Sequence, residues 1–191
     1  MRRSLPRLAL SLGLAIGAAS VCLASTLVVN DFESGAESNA LGGDYGAWNR
    51  FPDDHTQNCT TRLVEGGAFN QSAHALRVDY DVDSPNPAFN GFWTKLKELD
   101  LRPYQQVSFA IKGDAAAGYT TQVKVELKNG QEIGRYLLKG VTDQWQRVSI
   151  PLAQFDGIHD LSRVTEFVMV FDDMTSTTKT GAVYLDDIAF E

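Results

Sequence analysis

"TTQVKVELKNGQEIGRYLLKG", Thr120–Gly140, decides the class of fold. Val123, Val125 and Leu127 alternate with Lys124 and Glu126. A period of two is that of a β-strand with one buried and one solvated face. Asn129-Gly130 then gives a strong hairpin signal, because the tight turns that join antiparallel strands need residues that tolerate positive φ. A second run follows to Gly140. A strand pair wetted on one face belongs to a sheet packed against a second layer.

Working outward, similar runs recur. "TLVVNDF" (26–32) opens the series. In "HALRVDYDV" (74–82), Leu76, Val78, Tyr80 and Val82 share one face, and Arg77, Asp79 and Asp81 the other. "GFWTKLK" (91–97), "QVSFAIKG" (106–113), "WQRVSIPL" (145–152), "VTEFVMVFDD" (164–173) and "GAVYLDDIAFE" (181–191) continue it. "LGGDYGAW" (41–48) reads as a flexible loop carrying Tyr45 and Trp48. No stretch shows a long helical period; short helical turns are expected at "DLRPY" (100–104) and "PLAQF" (151–155). Eight or so short strands punctuated by Gly and Asn predict an all-β chain, an antiparallel β-sandwich or barrel. One-sided burial favours the sandwich.

Residues 1–24 have a different layout. "MRRSLPR" is basic, and the following apolar stretch is rich in small residues. This is the pattern of a secretory signal peptide cut after Ala24, which implies a secreted or periplasmic protein. A lipoprotein anchored at Cys22 is the weaker alternative, because Val21 stands where a small residue is expected. Residues 25–191 then form a single domain. Removing Arg2, Arg3 and Arg7 leaves 17 − 3 = 14 basic against 24 acidic side chains, a net −10. Such a balance argues against nucleic acid as a partner, since phosphate binding needs clustered Lys and Arg. Cys59 would be the one cysteine left, so no internal disulfide can form.

The sequence lacks the signatures of the common catalytic sites: there is no H-E-x-x-H, C-x-x-C, G-x-S-x-G or phosphate-binding loop. His55, His74 and His159 are scattered without ligand spacing. "DYDVDS" (79–84) lacks the Gly and Glu of a calcium loop and reads as a solvated strand face. Paired carboxylates of a glycosidase cannot be picked out among so many acids. The chain is therefore expected to be non-catalytic, a small glycan-active enzyme being the least favoured reading.

Aromatic residues are the stronger signal. Sugar rings present apolar C–H faces that pack on aromatic rings, while their hydroxyls exchange hydrogen bonds with polar side chains. If Phe92, Thr94 and Leu96 face the core, Trp93 faces away from it. Glu126 likewise opposes Val125, and Arg135 and Tyr136 must face opposite sides. An outer sheet face carrying Trp93, Glu126 and one of Arg135 or Tyr136, with Trp48 from the loop, would make a sugar platform. Trp145 reads instead as a packing residue.

Taken in order, "VVNDFESG" (28–35), "LGGDYGAW", "HALRVDYDV", "VSFAIKGD" (107–114), "VKVELKNG" (123–130), "QWQRVSIPLAQF" (144–155), "FVMVFDD" (167–173) and "VYLDDIAFE" (183–191) resemble the galactose-binding-like jelly rolls of carbohydrate-binding modules. The nearest flavour is the family 11 modules that bind β-glucans, with the related CIA30-type domains. The resemblance implies polysaccharide or oligosaccharide as partner, bound on the concave face of one sheet. It also implies a structural Ca²⁺ where the first and last strands meet. Matching the family pattern residue by residue, its carboxylates would be Asp31, Glu33 and Asp186, with carbonyls from 70–73. Strand alternation would put Asp187 on the face opposite Asp186. The CIA30-type alternative implies an assembly scaffold with an envelope or secreted protein partner.

Overall fold

The computed structural model describes residues 26–191, so the proposed signal peptide and Cys22 lie outside the described residues. The hairpin forms as its alternation predicts. β7 (Gln122–Lys128) and β8 (Ile133–Lys139) pair antiparallel, Val125 opposite Tyr136 and Glu126 opposite Arg135. The turn holds because Asn129 Oδ1 accepts the N–H groups of Gln131 and Glu132 at 3.0 and 2.7 Å, and Gly130 takes φ 89°.

The remaining strands are β1 (Leu27–Asn30), β2 (Tyr45–Asn49), β3 (Asn58–Glu65), β4 (His74–Asp81), β5 (Phe89–Leu99), β6 (Gln106–Gly113), β9 (Gln146–Pro151), β10 (Val164–Asp172) and β11 (Thr180–Phe190). They form two antiparallel sheets ordered β3-β4-β11-β6-β9, with β1 added on β11, and β2-β5-β10-β7-β8. This is the antiparallel β-sandwich that the pattern predicts, with the jelly-roll character that the resemblance implies. The sheets meet through their apolar faces: Leu76, Val78, Phe109 and Leu185 on one side, Phe92, Val125, Phe167 and Met169 on the other. Two ring pairs bridge the layers. Tyr80 stacks on Phe171 with centroids 4.1 Å apart, and Phe109 meets Phe167 edge-on at 5.7 Å.

Three details differ from the expectations. "LGGDYGAW" is not a flexible loop, because its last residues form β2, at the edge of the second sheet. A further strand, β3, contains Cys59; burial pushes its thiol pKa well up, which makes it a packing group and not a nucleophile. "DLRPY" is a turn without helix, whereas Leu152–Gln154 of "PLAQF" is a single 3₁₀ turn.

Candidate ligand-binding face

The outer face of the β2-β5-β10-β7-β8 sheet is laid out by register. Residues paired across neighbouring strands point to the same side. Gly46, Trp93, Val168, Glu126 and Arg135 therefore form one row across all five strands. Four spacings of about 4.8 Å give it a width of about 19 Å. The adjoining row runs Trp48, Gly91, Val170, Lys124, Leu137, and on the other flank lie Lys95, Glu166 and Lys128.

Each tryptophan pairs across the strand boundary with a glycine. Trp48 stands beside Gly91, and Trp93 beside Gly46. A Cβ on Gly46 would lie 3.6 Å from Trp93 Cζ2, and one on Gly91 would lie 3.2 Å from Trp48 Nε1. Without those side chains the indoles settle onto the sheet and present broad, half-buried rings. Trp93 Nε1 donates to the Ala47 carbonyl at 3.2 Å, which pins the ring. The Trp48 indole N–H is buried with no acceptor, so no hydrogen bond pins this ring.

The charges of the face are internally matched. Lys95 pairs with Glu166, Lys124 with Asp172 at 2.9 Å, and Arg135 with Glu126 at 3.4 Å. Lys128 lies between Glu126 (3.6 Å) and Glu166 (3.8 Å). Lysine ammonium groups also flank the rings: Lys95 is 5.1 Å from the Trp93 centroid and Lys128 5.9 Å from that of Trp48. The result is a surface of apolar rings and polar groups with little unbalanced charge.

Of the residues expected on this platform, Trp48, Trp93, Glu126 and Arg135 come together on it. Tyr136 does not. It opposes Val125 and therefore turns inward, where its ring packs on the core 6.2 Å from Phe155. The inward position follows from the strand period, which allows only one of the two neighbours Arg135 and Tyr136 to face outward.

The three carboxylates read as calcium ligands are arranged differently from a cage. Asp186 is fully buried; Ser72 Oγ and the Phe69 N–H donate to its Oδ2 at 2.8 and 3.1 Å. Glu33 accepts the N–H groups of Ala73 and His74 at 3.0 and 2.8 Å, so it grips the same loop further along. Asp31 is exposed and accepts only the Glu33 N–H, at 3.2 Å. Among the described residues no three acidic, His or Cys groups gather around one point. Asp187 also departs from expectation. A β-bulge with φ 50° at Asp187 breaks the alternation, and its carboxylate meets Arg147 at 2.7 Å. Arg147 and Asp186 both pair with Ala110, so the two aspartates serve the same outer face of the first sheet.

The family model described as "Carbohydrate binding domain 30" matches residues 35–191, nearly the whole domain. The chain belongs to this family. The solved family 11 carbohydrate-binding module of Clostridium thermocellum, in complex with a β-1,3-1,4-mixed-linked tetrasaccharide, is similar with a TM-score of 0.63 at 17% identity. It covers 86% of this chain and 94% of that one. The first carbohydrate-binding module 27 of Caldicellulosiruptor saccharolyticus, in complex with mannohexaose, has a TM-score of 0.57 at 17% identity, over 87% and 97%. At these identities the likeness shows the fold. Comparison with curated protein sequences gives no relative.

In this family 30 module several residues of the outer face were not legible in advance. Lys95 shares the outward side of Trp93, as alternation expects, and Lys128, Glu166 and Asp172 complete the charge pairs around the tryptophans. The alternation of "VTEFVMVFDD" could have placed Glu166 and Asp172 outward, but it does not tell which strand lies next to which. Gly46 and Gly91 carried a usable signal: "GAW" and "GFW" each set a glycine two residues before a tryptophan.

Proposed function

We propose that the module binds a neutral, extended polysaccharide across the outer face of the β2-β5-β10-β7-β8 sheet, a β-glucan first of all, without acting on it chemically. The row Trp93–Val168–Glu126–Arg135, with Trp48 alongside, carries this reading. Its rings offer flat apolar area, and its paired Glu, Lys and Arg offer donors and acceptors already held in position. Balanced charge suits a neutral glycan. The mixed-linked glucan and the mannan oligomer bound by the two similar modules belong to this ligand class. A cavity of about 600 Å³ does contain two adjacent acids, Asp53 and Asp54. Asp54, however, is engaged by the Thr56 hydroxyl and the Gln57 and Asn86 amides, which hold its pKa well below the usual carboxylate range. Such a group is a poor general acid.

Affinity gels containing barley mixed-linked glucan, xyloglucan or glucomannan test the reading. At least one neutral polysaccharide should retard the protein, with no reducing ends released on incubation. Mobility unchanged by every one of them would overturn it, and release of reducing sugar would overturn the non-catalytic part.

We also propose a calcium ion at the loop gripped by the last strand. Asp186 supports this, being a fully buried carboxylate whose partners are uncharged donors. Asp186 and Glu33 would hold the ion, with Asp31, whose carboxylate accepts the Glu33 N–H, as the third acid of the set. A cation bound only by the folded chain stabilises it by about 2.7 kcal/mol at a hundredfold excess over Kd. EDTA should therefore lower the melting temperature by several degrees, and calcium should restore it. An identical melt in EDTA and calcium would exclude the ion.

A further inference from the structure

The outer face of the other sheet carries a second group of aromatic residues that the glucan platform leaves unused. Register places Arg62, Arg77, Tyr184 and Lys112 in one row across β3, β4, β11 and β6. Trp145, immediately before β9, closes the row beside Lys112. The Lys112 ammonium stands 4.8 Å from the Tyr184 ring centroid and 5.3 Å from that of Trp145. The two rings lie 6.4 Å apart at 60°.

Both rings are anchored from behind. Trp145 Nε1 donates to the Gly67 carbonyl at 2.7 Å. The Tyr184 hydroxyl donates to Asp114 at 3.0 Å and accepts from Arg77 at 2.7 Å. Trp145 does pack, as its sequence reading expects, with its ring 6.0 Å from that of Phe69, yet it stays partly open and borders a concavity of about 200 Å³ with Arg62, Glu65, Lys112 and Tyr184.

Lys95, Lys124, Lys128 and Arg135 of the first face each have a carboxylate within 4 Å; here one cation does not. Arg77 is held by Asp79 and Asp114, and Arg62 lies 3.7 Å from Asp79. Lys112 has no carboxylate or hydrogen-bond partner among the described residues; only the two rings attend it. A cation–π contact at a partly exposed site is weaker than a hydrogen bond to a charged group. An anion reaching Lys112 therefore gains over the present contacts. An indole face for the C–H side of a sugar, with one unmatched ammonium at its edge, describes a sugar that carries a carboxylate.

We propose that this row is a second glycan site, selective for a uronic-acid residue, whose carboxylate meets Lys112 and whose ring packs on Trp145. The site is independent of the glucan platform, being on the opposite sheet.

Isothermal titration with an α-1,4-linked galacturonate oligomer tests it, beside the carboxyl-reduced oligomer and polyglutamate. Wild type should bind galacturonate at least ~10-fold more tightly than either control. Lys112→Gln should lose ~10-fold or more while keeping the wild-type melt, Trp145→Phe should retain part of the binding, and Trp93→Ala should match wild type. The site is refuted if galacturonate does not bind, if the reduced oligomer or polyglutamate binds equally, or if Lys112→Gln changes nothing. It is equally refuted if Trp93→Ala abolishes the signal. Titration of a neutral glucan on the same samples reads the first platform separately, so the two failures are distinguishable.

Discussion

Gly91→Ala is expected to weaken polysaccharide binding severely and to lower the melting temperature, whereas Trp93→Ala should weaken binding about 30-fold or more with little loss of stability. The two substitutions separate the ring from the floor that supports it. Trp93 is half-exposed on the outer face, so its removal uncovers modest apolar area. Its loss from the centre of a binding face costs about 2 kcal/mol or more, roughly 30-fold in affinity. Gly91 touches no ligand in this reading. A Cβ there would stand 1.9 Å from the Met169 carbonyl and 3.2 Å from Trp48 Nε1. Because the carbonyl belongs to central strand β10, β5 and β10 must separate, which costs about 1–3 kcal/mol for an overpacked site. Trp48 must lift from the sheet as well. Gly46→Ala is the matching control: its Cβ would meet Trp93 at 3.6 Å, an ordinary contact, and binding should survive. Titration with the retarding glucan and a thermal melt of each variant check all three. Wild-type affinity in both Trp93→Ala and Gly91→Ala would remove the platform from this face.

The contrast between the two glycines shows where sequence reading stops. Period-two alternation correctly sorted Val123, Val125, Leu127 and Phe92 inward, because burial of one face is a local property of a strand. It also decided between Arg135 and Tyr136 in principle, and only the pairing with β7 said which of them shares the side of Glu126. Neighbourhood is not local. That Trp93 and Glu126 lie two strands apart in one row depends on β10 inserting between β5 and β7, across long sequence separations. Trp145 packs as its sequence position suggests, but what it packs against was hidden for the same reason: its partners Lys112 and Tyr184 come from β6 and β11. The closing "YLDDIAFE" failed differently. Alternation assumes an unbroken pleat, and the bulge at Asp187 breaks it.

That bulge leads to the last expected result: in EDTA, the stability of wild type relative to Asp186→Asn should fall as pH rises from about 4 to about 6, then level off. Burial raises the Asp186 carboxyl to about 6 from an ordinary 3.8, against the opposing pull of Ser72 Oγ and the Asp187 and Phe69 N–H groups. Below pH 4 both folded and unfolded chains carry the proton, and the group adds nothing. Between 4 and 6 the unfolded chain releases it while the folded chain keeps it, so rising pH favours unfolding. Above 6 both are ionised and the full penalty stands, about 3 kcal/mol for a shift of this size. Other acids slope the opposite way. Glu132 is held near about 2 by the N–H groups of Asp160 and His159, and Asp100 near about 2 by Arg102. They are common to both proteins and cancel in the difference. Asparagine keeps an acceptor for Phe69 and Ser72 and carries no charge, so it fixes the baseline. Urea melts at half-unit pH steps measure the curve, and a flat difference would mean that Asp186 titrates as an ordinary carboxylate. Repeating the series in calcium links the two proposals for this loop. A bound cation favours the carboxylate, holds its pKa down and should erase the fall between pH 4 and 6. The same slope in calcium and EDTA would leave the loop closed by hydrogen bonds to Asp186 and Glu33 alone.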